Sequence, residues 1–458
     1  MLFLSVQPVH CQKIFYTALT LCMVLCSLIF INPAQAQSFG AQSFTLENGM
    51  QVVLIPNHRA PVVSHMVWYK SGAADEKRGK SGVAHFLEHL LFTGTDTIEP
   101  DSFSKIVKSH GGQDNAFTSQ DFTAYYQNIA VEKLPLIMAM EADRMKNLIL
   151  SEETVTRERQ VILEERSERT DNNPSARLGE AVNSALFVNH PYGIPVIGWR
   201  HEMEGLTRQD ALDFYHANYR PANAILIVAG DITLEELRKL AESYYGVLSN
   251  PPETADYQRV WTEPAPLLAD QRIVLKDEKV QAPTYRRYYR APHGSEAAEL
   301  LSDILGEGTT SRLYRKLVIE MKIATSIGSG YDAVQRGSSS FVLYAVPAPG
   351  VAIETVEKAL LAEIDEIAAN GVTQEELTTS KNRMINSAVY ARDSLQYPAM
   401  VFGQALTAGF DMDYVEYWTE RIENAALEDV NAAARDILGD GKAAITGILL
   451  PETQKTTQ

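Results

Sequence analysis

The chain is organised around residues 81–94, which read Ser81-Gly82-Val83-Ala84-His85-Phe86-Leu87-Glu88-His89-Leu90-Leu91-Phe92-Thr93-Gly94. Ser81 is a favourable N-cap and Gly94 a favourable C′ residue, so the segment predicts a short helix. Its apolar residues recur at helical spacing and form one stripe, made of Val83, Phe86, Leu87, Leu90 and Leu91. This stripe predicts a helix that packs one face against a core.

Three polar side chains lie on another face of this predicted helix. His85 and His89 are four residues apart and therefore stack one turn above the other, and Glu88 stands just before the second histidine. Two neutral imidazoles bind zinc well, and a neighbouring carboxylate can act as a general base. The pattern predicts a catalytic zinc site, and the alternative is a helix that carries two surface histidines.

Length and charge limit the classes of protein. A chain of 458 residues with 45% hydrophobic residues has material for two large domains. The formal net charge of -17, without a basic cluster, argues against a nucleic-acid partner.

The first residues are typical of a secretory signal peptide. Residues Ile14 to Ile31 are almost wholly apolar, follow Lys13, and end near the small-residue site Ala34-Gln35-Ala36. We predict a signal peptide over residues 1–36 that is cut before Gln37, and a periplasmic or secreted protein without a stable membrane anchor. A retained membrane anchor is the alternative. All three cysteines lie in this leader, so the metal ligands must be histidines and carboxylates.

The order of predicted elements begins twice. Strands, helices and further strands occupy residues 37–250, a proline-rich linker covers residues 251–266, and a similar order follows over residues 267–458. The sequence therefore predicts an α+β protein with two related α/β domains, the first of which is the zinc-binding catalytic domain.

A second helix offers a third metal ligand. Within the charged segment 157–166, Glu158 and Glu165 are seven residues apart and share one face with Ile162 between them. Glu164 lies about 100° away around the helix. The alternative is a solvated helix with Glu–Arg pairs, and the spacing alone does not decide between the two.

The sequence closely resembles the pitrilysin/insulysin (inverzincin) family of zinc metallopeptidases, which includes the mitochondrial processing peptidases and bacterial periplasmic relatives. Residues 84–92 are similar to the family's metal helix, and Glu165 follows His89 by 76 residues, the spacing of the family's third zinc ligand. The resemblance implies one zinc ion held by His85, His89 and Glu165. It also implies that Glu158, which we count among the catalytic residues, supports the ligand shell.

The resemblance extends to substrate binding and mechanism. Asn115-Ala116-Phe117-Thr118, after Gly111-Gly112, looks like the edge strand to which a peptide substrate adds, with Asn115 and Ala116 aligning the peptide. Glu88 is then expected to take a proton from the attacking water and pass it to the leaving amine. The expected activity is that of a zinc metalloendopeptidase acting on short or unfolded peptides.

The resemblance also implies helices packed on mainly antiparallel sheets, and two such pairs of domains that close like a clamshell, of which this chain supplies one. Active members present an Arg and a Tyr in a C-terminal half to stabilise the oxyanion. Here Val318 and Thr325 occupy the matching positions, although Arg312, Arg315 and Lys322 lie nearby as alternatives. We therefore predict the zinc-bearing subunit of a heterodimer with a related subunit, or else a homodimer. The alternative function is a non-catalytic assembly or peptide-binding subunit.

Overall fold

The computed structural model describes residues 38–251 and 262–452. The predicted signal peptide and most of the predicted linker lie outside these residues. The domain boundaries therefore stay a prediction.

The first half of the chain forms a six-stranded sheet with spatial order β1-β2-β6-β3-β5-β4. Only the β2–β6 pair is parallel, and β6 is buried along its whole length, as its apolar run of residues predicts. The strands β1 to β6 are Gln42–Thr45, Gln51–Pro56, Val62–Tyr69, Gln113–Thr118, Thr123–Ala130 and Ala224–Gly230. The helices α1 to α8 are Val83–Leu90, Phe103–Ser109, Leu134–Lys146, Glu152–Arg166, Pro174–Leu186, Arg200–Met203, Arg208–Asn218 and Leu234–Tyr244.

The second half forms a five-stranded sheet with spatial order β7-β11-β8-β10-β9. Again one pair, β7–β11, is parallel and the others are antiparallel. The strands β7 to β11 are Gln271–Asp277, Thr284–Ala291, Ala324–Tyr331, Ser339–Pro347 and Ala444–Pro451. The helices α9 to α15 are Glu296–Gly306, Ile353–Asn370, Gln374–Ala391, Tyr397–Ala408, Met412–Glu416, Trp418–Asn424 and Leu427–Leu438.

The two sheets share one topology. When β7, β11, β8, β10 and β9 are set beside β2, β6, β3, β5 and β4, the order and the direction of every pairing agree. The predicted fold class, two related α/β halves with helices on mainly antiparallel sheets, is confirmed.

Each half packs one helix against the other half's sheet. The apolar face of α5, with Leu178 and Val182, lies against Ile445 and Leu449 of β11. Helix α12 of the second half packs in turn on β3 and β6 of the first half. Its Gly403 lies so close to Trp68 that a Cβ atom added at Gly403 would come within 2.0 Å of the indole ring. The core therefore crosses the predicted domain boundary in both directions.

The predicted ends of the first helix are wrong. Helix α1 begins at Val83 after Gly82, whose φ of 87° suits glycine, and it ends at Leu90, well before Gly94. Ser81 does not cap it, because the carboxylate of Glu76 accepts the backbone N–H groups of Gly82 and Ala84, each at 2.9 Å. A side chain from the preceding turn thus satisfies the N-terminal donors that we assigned to Ser81.

Two further helical segments have distinct local causes. Asn173 caps α5 by accepting the N–H groups of Ser175 and Ala176, with a proline at the first helical position. Before β9 the chain forms a π-helical segment, Tyr314–Glu320.

Candidate metal centre

Helices α1 and α4 bring three potential metal ligands together. The Oε2 atom of Glu165 lies 3.3 Å from Nε2 of His89 and 3.7 Å from Nε2 of His85. The ligand atoms of the three residues all lie within 4.8 Å of one another. Zinc at about 2.0–2.1 Å from each ligand in a tetrahedral site would separate two ligand atoms by about 3.3 Å. The arrangement therefore fits a zinc ion held by two histidines and one carboxylate.

The electrostatics of this cluster favour a cation among the three ligand side chains. Burial, together with the neighbouring His89, lowers the pKa of His85, so its ring is held neutral. Burial opposes the charged form of His89 too, but its carboxylate partners Glu158 and Glu165 raise its pKa to about 9. The hydrogen bond with His89 lowers the pKa of Glu165, which stays ionised. A metal ion would displace the proton from His89 and take over its role as the central positive charge.

Glu88 lies beside the ligands and contacts a residue that our sequence analysis assigned no role. Its carboxylate accepts a hydrogen bond from the hydroxyl group of Thr118, the last residue of β4. Burial raises the pKa of Glu88, and this hydrogen bond opposes part of the rise. Thr118 belongs to the Asn115–Thr118 stretch that the resemblance had singled out, so the same motif contained the signal.

Glu158 stands behind the ligand shell. Its Oε2 atom lies 3.8 Å from Nδ1 of His89, and its Oε1 atom accepts a hydrogen bond of 3.0 Å from Nε of Arg157. A carboxylate behind a metal-binding histidine fixes the orientation of the ring. Arg169, one turn after Glu165, pairs with that carboxylate, a contact that the i, i+4 spacing could have predicted.

Strand β4 ends at this site and forms one edge of the first sheet. Asn115 is exposed and Ala116 partly exposed, and the side-chain oxygen of Asn115 accepts the backbone N–H of Ala116 at 2.9 Å. The outer backbone groups of this strand are therefore placed where an extended chain can pair with them.

The residues at the predicted Arg and Tyr positions face different surroundings. Val318 packs against the core of the second half, and Thr325 is exposed at the start of β9. The neighbouring Arg312 is engaged elsewhere, since it pairs with Glu376 and donates to the carbonyl of Gly371 at 3.1 Å. Neither Val318 nor Thr325 carries a group that stabilises an oxyanion well.

Two family models match consecutive parts of the chain. The model described as Insulinase (Peptidase family M16) matches residues 51–199, and the model described as Peptidase M16 inactive domain matches residues 205–384. The zinc protease PqqE of Helicobacter pylori is 34% identical over 345 residues, which is 74% of this chain and 77% of that protein. An uncharacterized zinc protease of Mycobacterium leprae is 29% identical over 436 residues, or 92% of this chain and 94% of that one. The chain belongs to the insulinase family of peptidases.

Solved structures place this insulinase-family chain among the pitrilysin-like halves. A protease from Helicobacter pylori matches with a TM-score of 0.83 and 29% identity, covering 91% of this chain and all of that one. The periplasmic protease PqqL from Escherichia coli matches with a TM-score of 0.76 and 20% identity, over 90% of this chain but 48% of that one. At this identity the second match concerns the fold alone. No helix within residues 38–251 and 262–452 has the length and hydrophobicity needed to span a membrane.

Proposed function

We propose that this chain is a zinc-dependent endopeptidase that hydrolyses short or unfolded peptides. The observation that carries the proposal is the convergence of His85, His89 and Glu165 beside the carboxylate of Glu88. When bound, zinc polarises the scissile carbonyl and lowers the pKa of water. The two relatives described above are named zinc proteases, and this supports the same chemistry.

Side chains of this protein would transfer the proton from the attacking water to the leaving amine. Glu88 takes a proton from the attacking water and delivers it to the leaving amine, a task for which a carboxyl with a raised pKa is suited. The hydroxyl of Thr118 holds one oxygen of Glu88, which leaves the other free to face the water. Glu158 keeps the ring of His89 oriented toward Glu165.

The substrate would pair with the edge strand β4. An extended peptide adds to the sheet at Asn115 and Ala116, and the side chain of Asn115 swings away from the N–H of Ala116 as the peptide takes its place. Strand pairing requires an extended backbone, so folded proteins are excluded unless they contribute a free segment. The proposed selectivity therefore follows from the shape of the edge strand.

We further propose that this chain is the zinc-bearing subunit of a dimer with a related chain that supplies the oxyanion-stabilising Arg and Tyr. Two observations support this proposal: Val318 and Thr325 occupy the matching positions here, and the chain spans about half of the Escherichia coli protease PqqL. The protein is also proposed to be exported after loss of residues 1–36, because of the leader and because that relative is described as periplasmic. N-terminal sequencing of the cell-derived protein tests the cleavage before Gln37.

The decisive experiment measures zinc content and turnover of quenched unstructured peptides for four proteins. We expect wild type and Glu88→Gln to bind one zinc each, with turnover only in wild type. We expect Glu165→Gln to lose zinc, whereas Glu164→Gln, which changes an exposed carboxylate one residue away, keeps both properties. Zinc in wild type without turnover, alone or with a related subunit, would contradict the peptidase assignment and favour a peptide-binding role.

The dimer is tested by mixing. Turnover should rise when a related subunit that carries the Arg and Tyr is added, and removing that Arg should abolish the rise. Full turnover by the isolated chain, with no change on mixing, would contradict the heterodimer.

A further inference from the structure

The second half contains a cavity of about 550 Å³ away from the candidate metal centre. It lies between α9, α11 and α12 and the short helices α13 and α14, and Ser38 and Phe39 at the start of the described chain close one side. Its volume is in the range of small-ligand sites, about 300–1,000 Å³.

This cavity occupies the position that the metal cleft has in the first half. Helix α9 comes before edge strand β9 as α1 comes before β4, and Glu299, Ser302 and Asp303 repeat the spacing of the three polar residues of the metal helix. Ser302 contacts Ser329 of β9 through their hydroxyl groups at 3.2 Å, as Glu88 contacts Thr118. At this spacing the second half carries Glu299, Ser302 and Asp303, where the first half carries His85, Glu88 and His89.

One cation already neutralises part of the cleft. Arg383 of α11 pairs with Asp303, which also accepts a hydrogen bond from Ser380. A guanidinium group therefore bridges α9 and α11, much as His85 and His89 of α1 and Glu165 of α4 would hold a metal between their helices. This arrangement excludes Asp303 as a free ligand but leaves the rest of the cavity open.

The lining of the cavity includes an acidic group, Glu299, that forms no ion pair within the part of the chain that the structure describes. Glu299 accepts a hydrogen bond of 3.2 Å from the indole N–H of Trp418. Burial raises the pKa of Glu299 to about 7, and the hydrogen bond from Trp418 and the nearby Arg421 offset only part of that rise. The neighbouring walls are aromatic, with Tyr397 and Tyr414. Carboxylate and aromatic faces together suit an ammonium group.

Arg392 brings a basic group without a counter-ion to the same cavity. Its Nη2 donates weakly to the hydroxyls of Ser38 and Thr419, at 3.2 and 3.4 Å, and its buried Nε finds no acceptor. No carboxylate within the described ranges forms an ion pair with it. A buried N–H without an acceptor is costly, and a carboxylate is the acceptor that a guanidinium binds best. The lining also includes the apolar side chains of Met384, Val401 and Ala405.

We propose that this cavity binds a short apolar peptide with free termini, whose ammonium group pairs with Glu299 and whose carboxylate pairs with Arg392. The opposite charges match the two ends of such a peptide, and the apolar and aromatic lining matches its side chains. The inference does not rest on the proposed peptidase activity, because none of the cavity residues belongs to the metal centre.

The test uses the Glu88→Gln chain, so that the probe is not consumed, and measures calorimetric binding of leucyl-leucine with and without a metal chelator. We expect binding in both conditions, and a loss of roughly ten-fold or more in affinity when the probe is N-acetylated or C-amidated. Glu299→Gln should remove the preference for the free amine, and Arg392→Gln the preference for the free carboxylate. Glu375→Gln, an exposed carboxylate on α11 that does not line the cavity, is the matched control and should change neither.

Two outcomes would overturn the proposal. One is absence of binding at millimolar leucyl-leucine, and the other is equal binding of the free and blocked probes, which would indicate an unspecific apolar cavity. The comparison of probes on the Glu88→Gln chain keeps the test valid even if a cavity variant fails to fold. Binding that disappears with the chelator would also count against it, since it would assign the peptide to the metal centre.

Discussion

The hydroxyl group of Thr118 donates a hydrogen bond to the carboxylate of Glu88 and so joins the edge strand β4 to the metal helix. The proposed base is thus held by the strand to which the substrate is proposed to add. A peptide that pairs with β4 would contact the same strand that positions Glu88, and this would couple substrate pairing to the placement of the base.

Replacing Thr118 by valine tests this coupling, because valine keeps the shape and removes the hydroxyl. We expect Thr118→Val to lower kcat by about 10–100-fold with little change in KM, since a general base contributes about 10²–10⁴-fold and is here only misplaced. Zinc content should stay at the wild-type level. Thr118→Ser, which restores the hydroxyl, should recover most of kcat. A rise in KM at constant kcat would instead assign Thr118 to peptide binding.

Glu158 is predicted to support the metal rather than to react. We expect Glu158→Gln to weaken zinc binding by about 10–100-fold, the usual effect of removing the carboxylate behind a metal-binding histidine. At saturating zinc its peptidase activity should approach that of wild type. Competition with a chelating dye measures the affinity, and Glu164→Gln serves as the control on the same helix. Lost activity in a fully zinc-loaded Glu158→Gln protein would show a direct part in the reaction.

The parts of the fold and of the site that the sequence predicts depend on spacing within one element. The four-residue spacing of His85 and His89 places them on one helix face, and the seven-residue spacing of Glu158 and Glu165 does the same on α4. These spacings lie within single elements, so the face that a residue occupies can be predicted from the sequence without knowing which elements contact one another.

What the sequence does not predict depends on contacts between elements. Glu76 caps α1 from the preceding turn, where no pattern of neighbouring residues marks it as a cap. Thr118 meets Glu88 only because the end of β4 lies beside α1. Helix α5 has the signal of an N-terminal Asn-Pro pair, but its place against β11 follows from the exchange of helices between the halves. Such contacts are set by the packing of the whole chain.

The docking of α12 onto the first sheet depends on Gly403. Because a Cβ atom there would come within 2.0 Å of the Trp68 ring, we expect Gly403→Ala to lower the free energy of unfolding by about 1–3 kcal/mol. Gly179→Ala is the matched control, since it lies in α5 with open space around it and should be neutral or stabilising by up to about 1 kcal/mol. Urea unfolding measures both. Equal effects of the two substitutions would contradict the close packing of α12 against Trp68.

The raised pKa of Glu299 predicts how stability changes with pH. The unfolded chain loses this proton near 4.5 and the folded chain near about 7, so over this interval the folded state holds more protons and stability falls as pH rises. A shift of this size corresponds to at most about 3 kcal/mol. Glu299→Gln removes the titration, and we therefore expect its free energy of unfolding, relative to wild type, to increase between about pH 4.5 and about pH 8. Leucyl-leucine should reduce this difference, because an ammonium group supplies the missing counter-ion only to the carboxylate. A difference in the free energy of unfolding that stays constant across this pH interval would mean that the charge of Glu299 is already compensated. The cavity would then lack an acidic group that can pair with the ammonium group of a peptide.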